Sequence, residues 1–367
     1  MINISDNKEK VLIGMSGGVD SSVAVGLMQE MGYSPSGLTI TPFKIDDACK
    51  IEEGSKSCCN KQSLIDAIDM AEQFGINHYL AEMTEQFENS VVKNFVSEYL
   101  SGRTPNPCVI CNPTIKWKAL LDKANELGIN YIATGHYAQI RYDEALNRKV
   151  LCKAKDQAKD QTYFLWRLSK DDIQRTIFPL GNLTKSETRE LAAKYNLIVK
   201  NKPDSQEVCF IPNDDYREFL SRYLKQDLEQ PGDFLFRGKV IGRHRGYPFY
   251  TVGQRKGLGL SHPEPLYVKA IDSVTNVVEL ETKDNLASTI VYASDVVLSK
   301  YDSIPDNSEF IVKIRYRDPG TLALCSMDGN NLRIELLEPK NSIALGQSLV
   351  MYEGDDLVGG GIIDKVA

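Results

Sequence analysis

The chain of 367 residues is 42% hydrophobic and 25% charged, an ordinary globular composition with room for two or three domains. Its formal net charge of −7 excludes a protein that coats nucleic acid over its whole surface, so a nucleic-acid site would have to be a local patch. No apolar run is long enough to span a bilayer, and the polar N-terminus MINISDNKEK carries no signal or transit pattern, so a cytoplasmic protein without membrane contact is expected.

Residues 10–15 (K-V-L-I-G-M) read as a buried strand, and 21–31 repeat apolar residues at helical spacing, with Val23, Leu27 and Met31 on one face and Gly32 closing the helix. Between them lies S-G-G-V-D-S-S, from Ser16 to Ser22. Two glycines let backbone approach a ligand closely, and the N–H groups of the following helix suit an anion. The spacing matches neither the P-loop nor the dinucleotide fingerprint. It resembles the SGGxDS loop of the ATP pyrophosphatases, enzymes that cleave ATP to AMP. That resemblance implies that Asp20 helps hold Mg²⁺ while Ser16, Ser21 and backbone amides hold pyrophosphate. The expected ATP-binding set is Gly14, Met15, Ser16, Gly17, Gly18, Val19, Asp20, Ser21, Ile40 and Gly135.

Residues 35–43 form a second strand, making a βαβ unit and pointing to a parallel sheet with its ligand at the strand C-termini. The polar stretch 44–62 holds Cys49, Cys58 and Cys59, which lack a matching second pair and read as loop residues. A helical stripe through Leu64, Ile65, Ile68, Ala71 and Phe74 ends at Gly75, a strand covers 78–81, and a further helix covers 88–100. His78 reads as structural.

The segment 103–112, R-T-P-N-P-C-V-I-C-N, changes the character of the chain. Its prolines argue against helix, and Cys108 and Cys111 precede a helix expected at 114–127. A thiol near a helix N-terminus, with Arg103, Lys116 and Lys118 nearby in sequence, has a stabilised thiolate. The alternative is half of a structural zinc site, but no second Cys-x-x-Cys exists to complete it. The eight cysteines of the chain are not expected to form a disulfide framework.

A strand at 129–134 leads to Gly135 and His136, the latter either a phosphate or base contact or a packed histidine. Residues 138–153 read as a β-hairpin, followed by a charged run containing Lys159, Asp160 and Gln161. Thr184-Lys-Ser-Glu187 is a capping box opening a helix through Tyr195. Cys209 falls in an expected apolar strand, and short β segments follow from about residue 212. Gly-rich turns at 243–246 and 253–259 gather positive charge suited to a phosphate backbone. Alternation at 277–280, 310–316, 332–337 and 348–351 suggests a small barrel.

The loop at 16–22, R-T-P-N-P-x-x-x-C-N at 103–112, A-T-G-H-Y-A at 133–138, K-D-Q-x-Y-F-L at 159–165, D-S-x-x-x-C-F-I at 204–211, G-Q-R-K-G-L-G at 253–259, L-G-Q-S at 345–348 and G-G-G-I-I at 359–363 occur in order in one chain. Together they closely resemble the bacterial tRNA-uridine 2-sulfurtransferase (2-thiouridylase, MnmA) family. The resemblance implies an α/β fold: a parallel-sheet ATP-pyrophosphatase domain (adenine nucleotide alpha hydrolase-like) at 1–211, a small β-rich central domain contacting tRNA at 212–275 and a C-terminal β-barrel at 276–367. It implies ATP-dependent 2-thiolation of the wobble uridine in tRNAs of the Lys, Glu and Gln type, with sulfur from an upstream donor protein.

By the same resemblance Cys111 is the catalytic thiol and Cys209 carries a persulfide, the two forming a disulfide after transfer. Asn106, Pro107 and Cys108 would border the flipped base; Lys159, Asp160, Gln161, Arg315 and Tyr316 would touch tRNA. One departure stands out: well-known members carry Asp where this chain has Cys108. Cys108, Cys111 and Cys209 are therefore also a candidate ligand set for three irons of a 4Fe–4S cluster, and the persulfide and cluster routes both remain open. The enzyme alternative is an ATP-pyrophosphatase amide ligase acting on a small molecule; the non-enzyme alternative is a metal-stabilised RNA-binding protein.

Overall fold

The structure, a computed structural model, describes residues 8–42, 61–204, 208–211, 213 and 215–367. The expectations for Cys49, Cys58 and Cys59 lie outside these residues. The chain divides into two compact units: Met1–Ser90 with Ile110–Asp214, and Val91–Val109 with Asp215–Ala367.

In the first unit β1 (Lys10–Gly14), β2 (Ser34–Thr41), β3 (His78–Glu82), β4 (Tyr131–Thr134) and β7 (Thr176–Ile177) form a parallel sheet in the order β3-β2-β1-β4-β7. The order turns back on itself at β1 and β4, and an open α/β sheet offers its ligand crevice at the C-terminal ends of strands at such a point. The S-G-G-V-D-S-S loop follows β1 and Gly135-His136 follows β4. The expected 138–153 hairpin is present as β5 (Gln139–Asp143) and β6 (Arg148–Cys152).

The first helix runs Val19–Glu30. The stripe expected on Val23, Leu27 and Met31 is not the buried one: Met31 is 58% exposed, whereas Val19, Val23, Ala24, Val25 and Met28 are buried. Val11 and Ile13 of β1, Ala67 and Met70 of helix Lys61–Phe74, and Ala192 of helix Lys185–Lys194 join the same core. A helix covered on several sides cannot show a single apolar stripe. Gly26 permits one of these approaches, since a Cβ there would lie 2.6 Å from the Tyr195 ring.

The prolines do not keep 103–112 out of helix. Pro107 opens a helix, Pro107–Cys111, that runs through a π-helical turn, Asn112–Trp117, into helix Lys118–Glu126. Proline is welcome at the first helical position because its missing N–H has no intrahelical partner there. Both cysteines thus sit inside a helical run instead of ahead of one. Cys209 lies in a turn, not a strand, with the Ile211 N–H donating to the Val208 carbonyl.

In the second unit helix Tyr216–Leu224, capped by the Asp215 carboxylate, stands where only β segments were expected. Four strands, β8 (Gly232–Phe236), β9 (Lys239–His244), β10 (Tyr267–Asp272) and β11 (Val277–Glu281), form a sheet in the order β10-β11-β8-β9. The stretch 277–280 therefore belongs to this sheet and not to the barrel, because β11 is paired on both edges, by β10 and β8. The barrel proper has six antiparallel strands: β12 (Ala287–Leu298), β13 (Ser308–Lys313), β14 (Thr321–Asp328), β15 (Asn331–Asn341), β16 (Ser348–Glu353) and β17 (Asp356–Val366). Their order is β12-β15-β14-β13-β16-β17, closed by β12–β17 pairing, which removes sheet edges. Val291, Val312, Ile334, Met351 and Val358 fill its core.

Candidate nucleotide and thiol site

The loop after β1 is shaped by glycine sterics and serine hydroxyls. Gly17 has φ +65°, and a Cβ there would lie 2.0 Å from the Ser63 carbonyl oxygen, so no other residue fits. The Ser21 and Ser22 hydroxyls donate to the Gly18 carbonyl at 3.2 and 2.9 Å, and the Ser16 N–H donates to Ser21 Oγ at 3.2 Å. Gly18, the N-cap, has no side chain with which to cap the first turn of helix Val19–Glu30, an arrangement that suits an anion. Gly135 closes on this loop from β4: a Cβ there would lie 2.7 Å from the Ser21 nitrogen. Met15 and Val19 are buried beneath the loop; Gly14 ends β1, and Ile40 lies half-buried near the end of β2.

Four side chains that the sequence reading left without a role fix the loop's charge. Lys185 Nζ donates to both Asp20 carboxylate oxygens at 2.8 and 2.9 Å and pairs with Asp204 at 2.7 Å. The Tyr137 hydroxyl donates to Asp20 at 3.1 Å, and burial followed by the Asp20 charge pushes its pKa well up. Lys202 Nζ donates to the Gly17 carbonyl at 2.9 Å and pairs with Asp66 at 2.7 Å. Asp204 also pairs with Lys159 at 2.8 Å and Arg189 at 3.1 Å. Burial opposes its ionisation, but Lys159 and Lys185 outweigh that and hold its pKa below the usual carboxylate value. Lys185 is the second residue of the capping box, where the helix start alone accounted for the sequence signal. The box itself forms as expected, between Thr184 and Glu187.

His136 is a packed histidine. Its Nδ1 lies 2.9 Å from Thr134 Oγ1, and its ring lies 5.6 Å from that of Trp117. Burial and then Lys116 keep its pKa well below the ordinary imidazole value, so the ring is neutral at pH 7. His78 is structural, with Nε2 2.9 Å from Thr39 Oγ1.

Cys108 is exposed, while Cys111 and Cys209 are half-buried. Asn112, directly after Cys111, donates to the Phe164 carbonyl at 2.8 Å and so ties the thiol's helix to the segment that follows Gln161. Among the described residues no group of three or more His, Cys, Asp or Glu side chains is gathered for a metal ion. Asp160 is buried, accepting from the Ala154 N–H and the Thr162 hydroxyl, and Gln161 Oε1 accepts from the Tyr137 N–H.

In the second unit the R-T-P-N-P segment is buckled to the barrel. The Thr104 N–H donates to the Leu345 carbonyl, and Gln347 Nε2 donates to the Thr104 and Pro105 carbonyls at 3.0 and 3.3 Å. Arg103 pairs with Glu98 at 2.8 Å and Asp364 at 2.9 Å. Gly346, at φ +86°, would carry a Cβ 2.6 Å from Glu98 Oε2. The L-G-Q-S motif is therefore a clasp for the segment that carries Asn106, Pro107 and Cys108. Arg315 and Tyr316 lie in the turn after β13, where Asp318 accepts from the Ile314 and Gly320 N–H groups, and not on an alternating strand. Arg315 is exposed.

No helix among the described residues is long and apolar enough to cross a membrane. A family model described as the tRNA methyl transferase HUP domain matches residues 9–213, its PRC-barrel domain matches 217–280, and an aminomethyltransferase beta-barrel domain matches 288–363. These descriptions suit the parallel sheet, the four-stranded sheet and the closed barrel. The chain is 43% identical over 362 residues to the tRNA-specific 2-thiouridylase MnmA of Carboxydothermus hydrogenoformans, covering 98% of both chains. It is 43% identical over 364 residues to that of Salinibacter ruber (98% of this chain, 95% of that one). It is 44% identical over 358 residues to MnmA 1 of Caldanaerobacter subterraneus subsp. tengcongensis (97% and 98%). The full-length relatives are thiolating enzymes, whatever the domain descriptions say of methyl transfer, and the chain belongs to the tRNA-specific 2-thiouridylase (MnmA) family of sulfur-transferring enzymes.

Proposed function

We propose that the chain thiolates C2 of the wobble uridine of tRNA in two stages, by adenylation and then by attack of a persulfide. In the first, the uridine C2 oxygen bonds to the α-phosphorus of ATP as the bond to pyrophosphate breaks. A poor leaving group becomes AMP. The S-G-G-V-D-S-S loop receives the pyrophosphate through backbone N–H groups and the Ser16 and Ser21 hydroxyls, with Lys185 as the adjoining cation. Mg²⁺ suits the oxygen donor offered by Asp20 and would supply neutralisation of phosphate charge there.

In the second stage the terminal sulfur of a Cys209 persulfide bonds to C2, its proton passes to solvent, and AMP leaves with the C2–O electron pair. The Cys111 thiolate then attacks Cys209 Sγ, forming a disulfide and releasing the thiocarbonyl. A thiol reductant supplies two electrons to reopen that disulfide, and an upstream sulfur-donor protein reloads Cys209 with sulfane sulfur. Arg315 and Lys159 serve as phosphate contacts; Asp160 and Gln161 act by shaping the backbone beside them; Tyr316 lies next to Arg315. Asn106, Pro107 and Cys108 border the extruded base, on tRNAs of the Lys, Glu and Gln type.

The observation that supports this reading is that Lys185 grips both Asp20 of the ATP loop and Asp204, five residues before Cys209. Nucleotide and sulfur chemistry then draw on one network within a single unit. The test is Cys111→Ser assayed with ATP, tRNA and a persulfide source. ATP binding and pyrophosphate release should persist, while 2-thiouridine, measured by mass analysis of the wobble nucleoside, falls by on the order of a thousandfold or more. Full thiolation by the variant would overturn the thiol's role.

A further inference from the structure

Anion binding by the loop after β1 depends on which way its peptide groups face, because the carbonyl and N–H of one trans peptide point in opposite directions. The peptide joining Gly17 to Gly18 has no side chain on either flank to fix its plane, with Gly17 at φ +65° and Gly18 at φ −101°. The loop's own hydroxyls do not steer it. Ser21 and Ser22 both donate to the Gly18 carbonyl, at 3.2 and 2.9 Å, and each hydroxyl has one proton to give. The first backbone bond of helix Val19–Glu30, from the Ser22 N–H at 3.3 Å, goes to the same Gly18 carbonyl.

The Gly17 carbonyl is taken by a side chain 185 residues away in the chain. Lys202 Nζ lies 2.9 Å from it, 2.7 Å from an Asp66 carboxylate oxygen and 3.3 Å from Ser63 Oγ. An ammonium carries three N–H donors, and here each has an acceptor, so the side chain is held in one place. Its acceptors are held as well. Ser63 and Asp66 belong to helix Lys61–Phe74, and Gln62 Nε2 donates to the other Asp66 oxygen at 2.8 Å. The Ser63 carbonyl oxygen is also the atom that a Cβ at Gly17 would meet at 2.0 Å, so helix start, glycine turn and lysine interlock. At its own end, Lys202 donates its backbone N–H to the Val199 carbonyl at 2.8 Å, and Pro203 confines it to extended backbone, at φ −63° and ψ 133°.

We propose that Lys202 is a positioning residue for the ATP loop: by drawing the Gly17 carbonyl to itself, it turns the Gly18 N–H the other way, toward the anion at the helix N-terminus. The proposal rests on the reading of this loop as the pyrophosphate cradle and adds the side chain that selects the cradle's anion-binding shape. Two glycines allow a close fit but leave their shared peptide free to flip, and a flipped peptide would offer phosphate a carbonyl oxygen in place of an N–H. Asp66 balances the lysine's charge, so its action is geometric and not that of a second cation on the pyrophosphate. Lys202 also opens the K-P-D-S-Q-E-V-C stretch that ends at Cys209, which ties the shape of the ATP loop to the segment carrying the second thiol.

The test is calorimetric binding of ATP, inorganic pyrophosphate and AMP to the full-length protein and to Lys202→Met, Lys202→Arg and Asp66→Asn. Lys202→Met keeps the length of the side chain and removes its donors. It should weaken ATP and pyrophosphate by roughly tenfold to a hundredfold, the effect of one lost hydrogen bond to a charged group, and leave AMP within about twofold. Lys202→Arg can still donate to the carbonyl and should stay within about threefold of wild type for all three probes. Asp66→Asn removes a negative charge, which alone would favour an anion, yet it should weaken pyrophosphate roughly threefold to tenfold because the lysine is no longer held. Tighter pyrophosphate binding by Asp66→Asn would mean that Lys202 meets the anion itself, and the positioning role fails; this result decides even if Lys202→Met does not fold. Equal losses for all three probes in Lys202→Met would report general damage and overturn the role. Wild-type pyrophosphate affinity in Lys202→Met would overturn the role of Lys202 alone. A wild-type protein that binds neither ATP nor pyrophosphate would overturn the reading of the loop itself.

Discussion

The loop at 16–22 and the segment at 103–108 both lead into a helix and are marked by residues with special backbone behaviour, glycine in the first and proline in the second, yet they are held by different means. The first is held mostly by itself. Ser21, Ser22 and Ser16 bond to loop backbone and to one another, and Gly17 meets Ser63 so closely that glycine is required. The second is held from a great distance along the chain, by Leu345, Gln347 and Asp364. A self-bracing loop keeps its hydroxyl-to-backbone bonds within itself and takes one bond from afar, from Lys202 to the Gly17 carbonyl. A clasped segment needs the barrel to have closed, and so depends on β16 and β17 being paired. The difference predicts that damage to the loop removes nucleotide chemistry directly, whereas damage to the clasp loosens the 103–108 segment and leaves ATP binding intact.

The largest effect is expected for Gly17→Ala. The φ of +65° strains any side chain, and the 2.0 Å approach to a backbone oxygen cannot be relieved by a rotamer change. Strain of about 1–3 kcal/mol would have to be released by reshaping the loop. ATP affinity measured by calorimetry should fall by about a hundredfold or more, while circular dichroism remains native. An alanine variant that binds ATP normally would show that the loop is not self-braced.

Gln347→Ala should have an intermediate effect. Two carbonyls lose their donor, costing about 1–2 kcal/mol of stability, and thiolation should fall while the ATP dissociation constant stays within twofold of wild type, about 0.4 kcal/mol. Parallel losses of ATP affinity and thiolation would erase the distinction between the two regions.

The smallest effect concerns acid tolerance of the helix that carries Lys185. The Thr184 backbone N–H first, and then Lys155, hold the Glu187 pKa down to about 2 from an ordinary 4.5. The fold lowers the pKa of this carboxylate, so its contribution is present above pH 4.5 and is lost as pH falls toward 2. Glu187→Gln should therefore flatten the acid limb of the stability curve between those values, read from urea melts at stepped pH, and leave stability near pH 7 only slightly lower. An unchanged acid limb would mean that the cap does not couple to proton uptake.

Much of the first region was legible in the letters because the forces that shape it act over few residues. A strand, two glycines, an aspartate and a helix in succession have few physical solutions, and the capping box at Thr184 and Glu187 formed where its spacing put it. The hairpin at 138–153 and the structural His78 were legible for similar reasons. Helix Pro107–Cys111 was not, because the rule that proline breaks helices yields at the first helical position. Helix Tyr216–Leu224 was missed because its charged residues interrupt the apolar pattern, although Asp215 stood ready as its cap.

The sequence by itself determined the family, through an ordered set of motifs, and pointed to its chemistry through an anion-suited loop and two candidate thiols. Local sterics and residue chemistry suffice for that. Only the tertiary structure decided that Lys185 is the partner of Asp20, that Gln347 clasps residues 104–105, that β11 joins the central sheet and that Lys202 holds the Gly17 carbonyl. Each of these joins positions far apart in the chain, and such pairings follow from which surfaces the fold buries together, a global balance that no local pattern records.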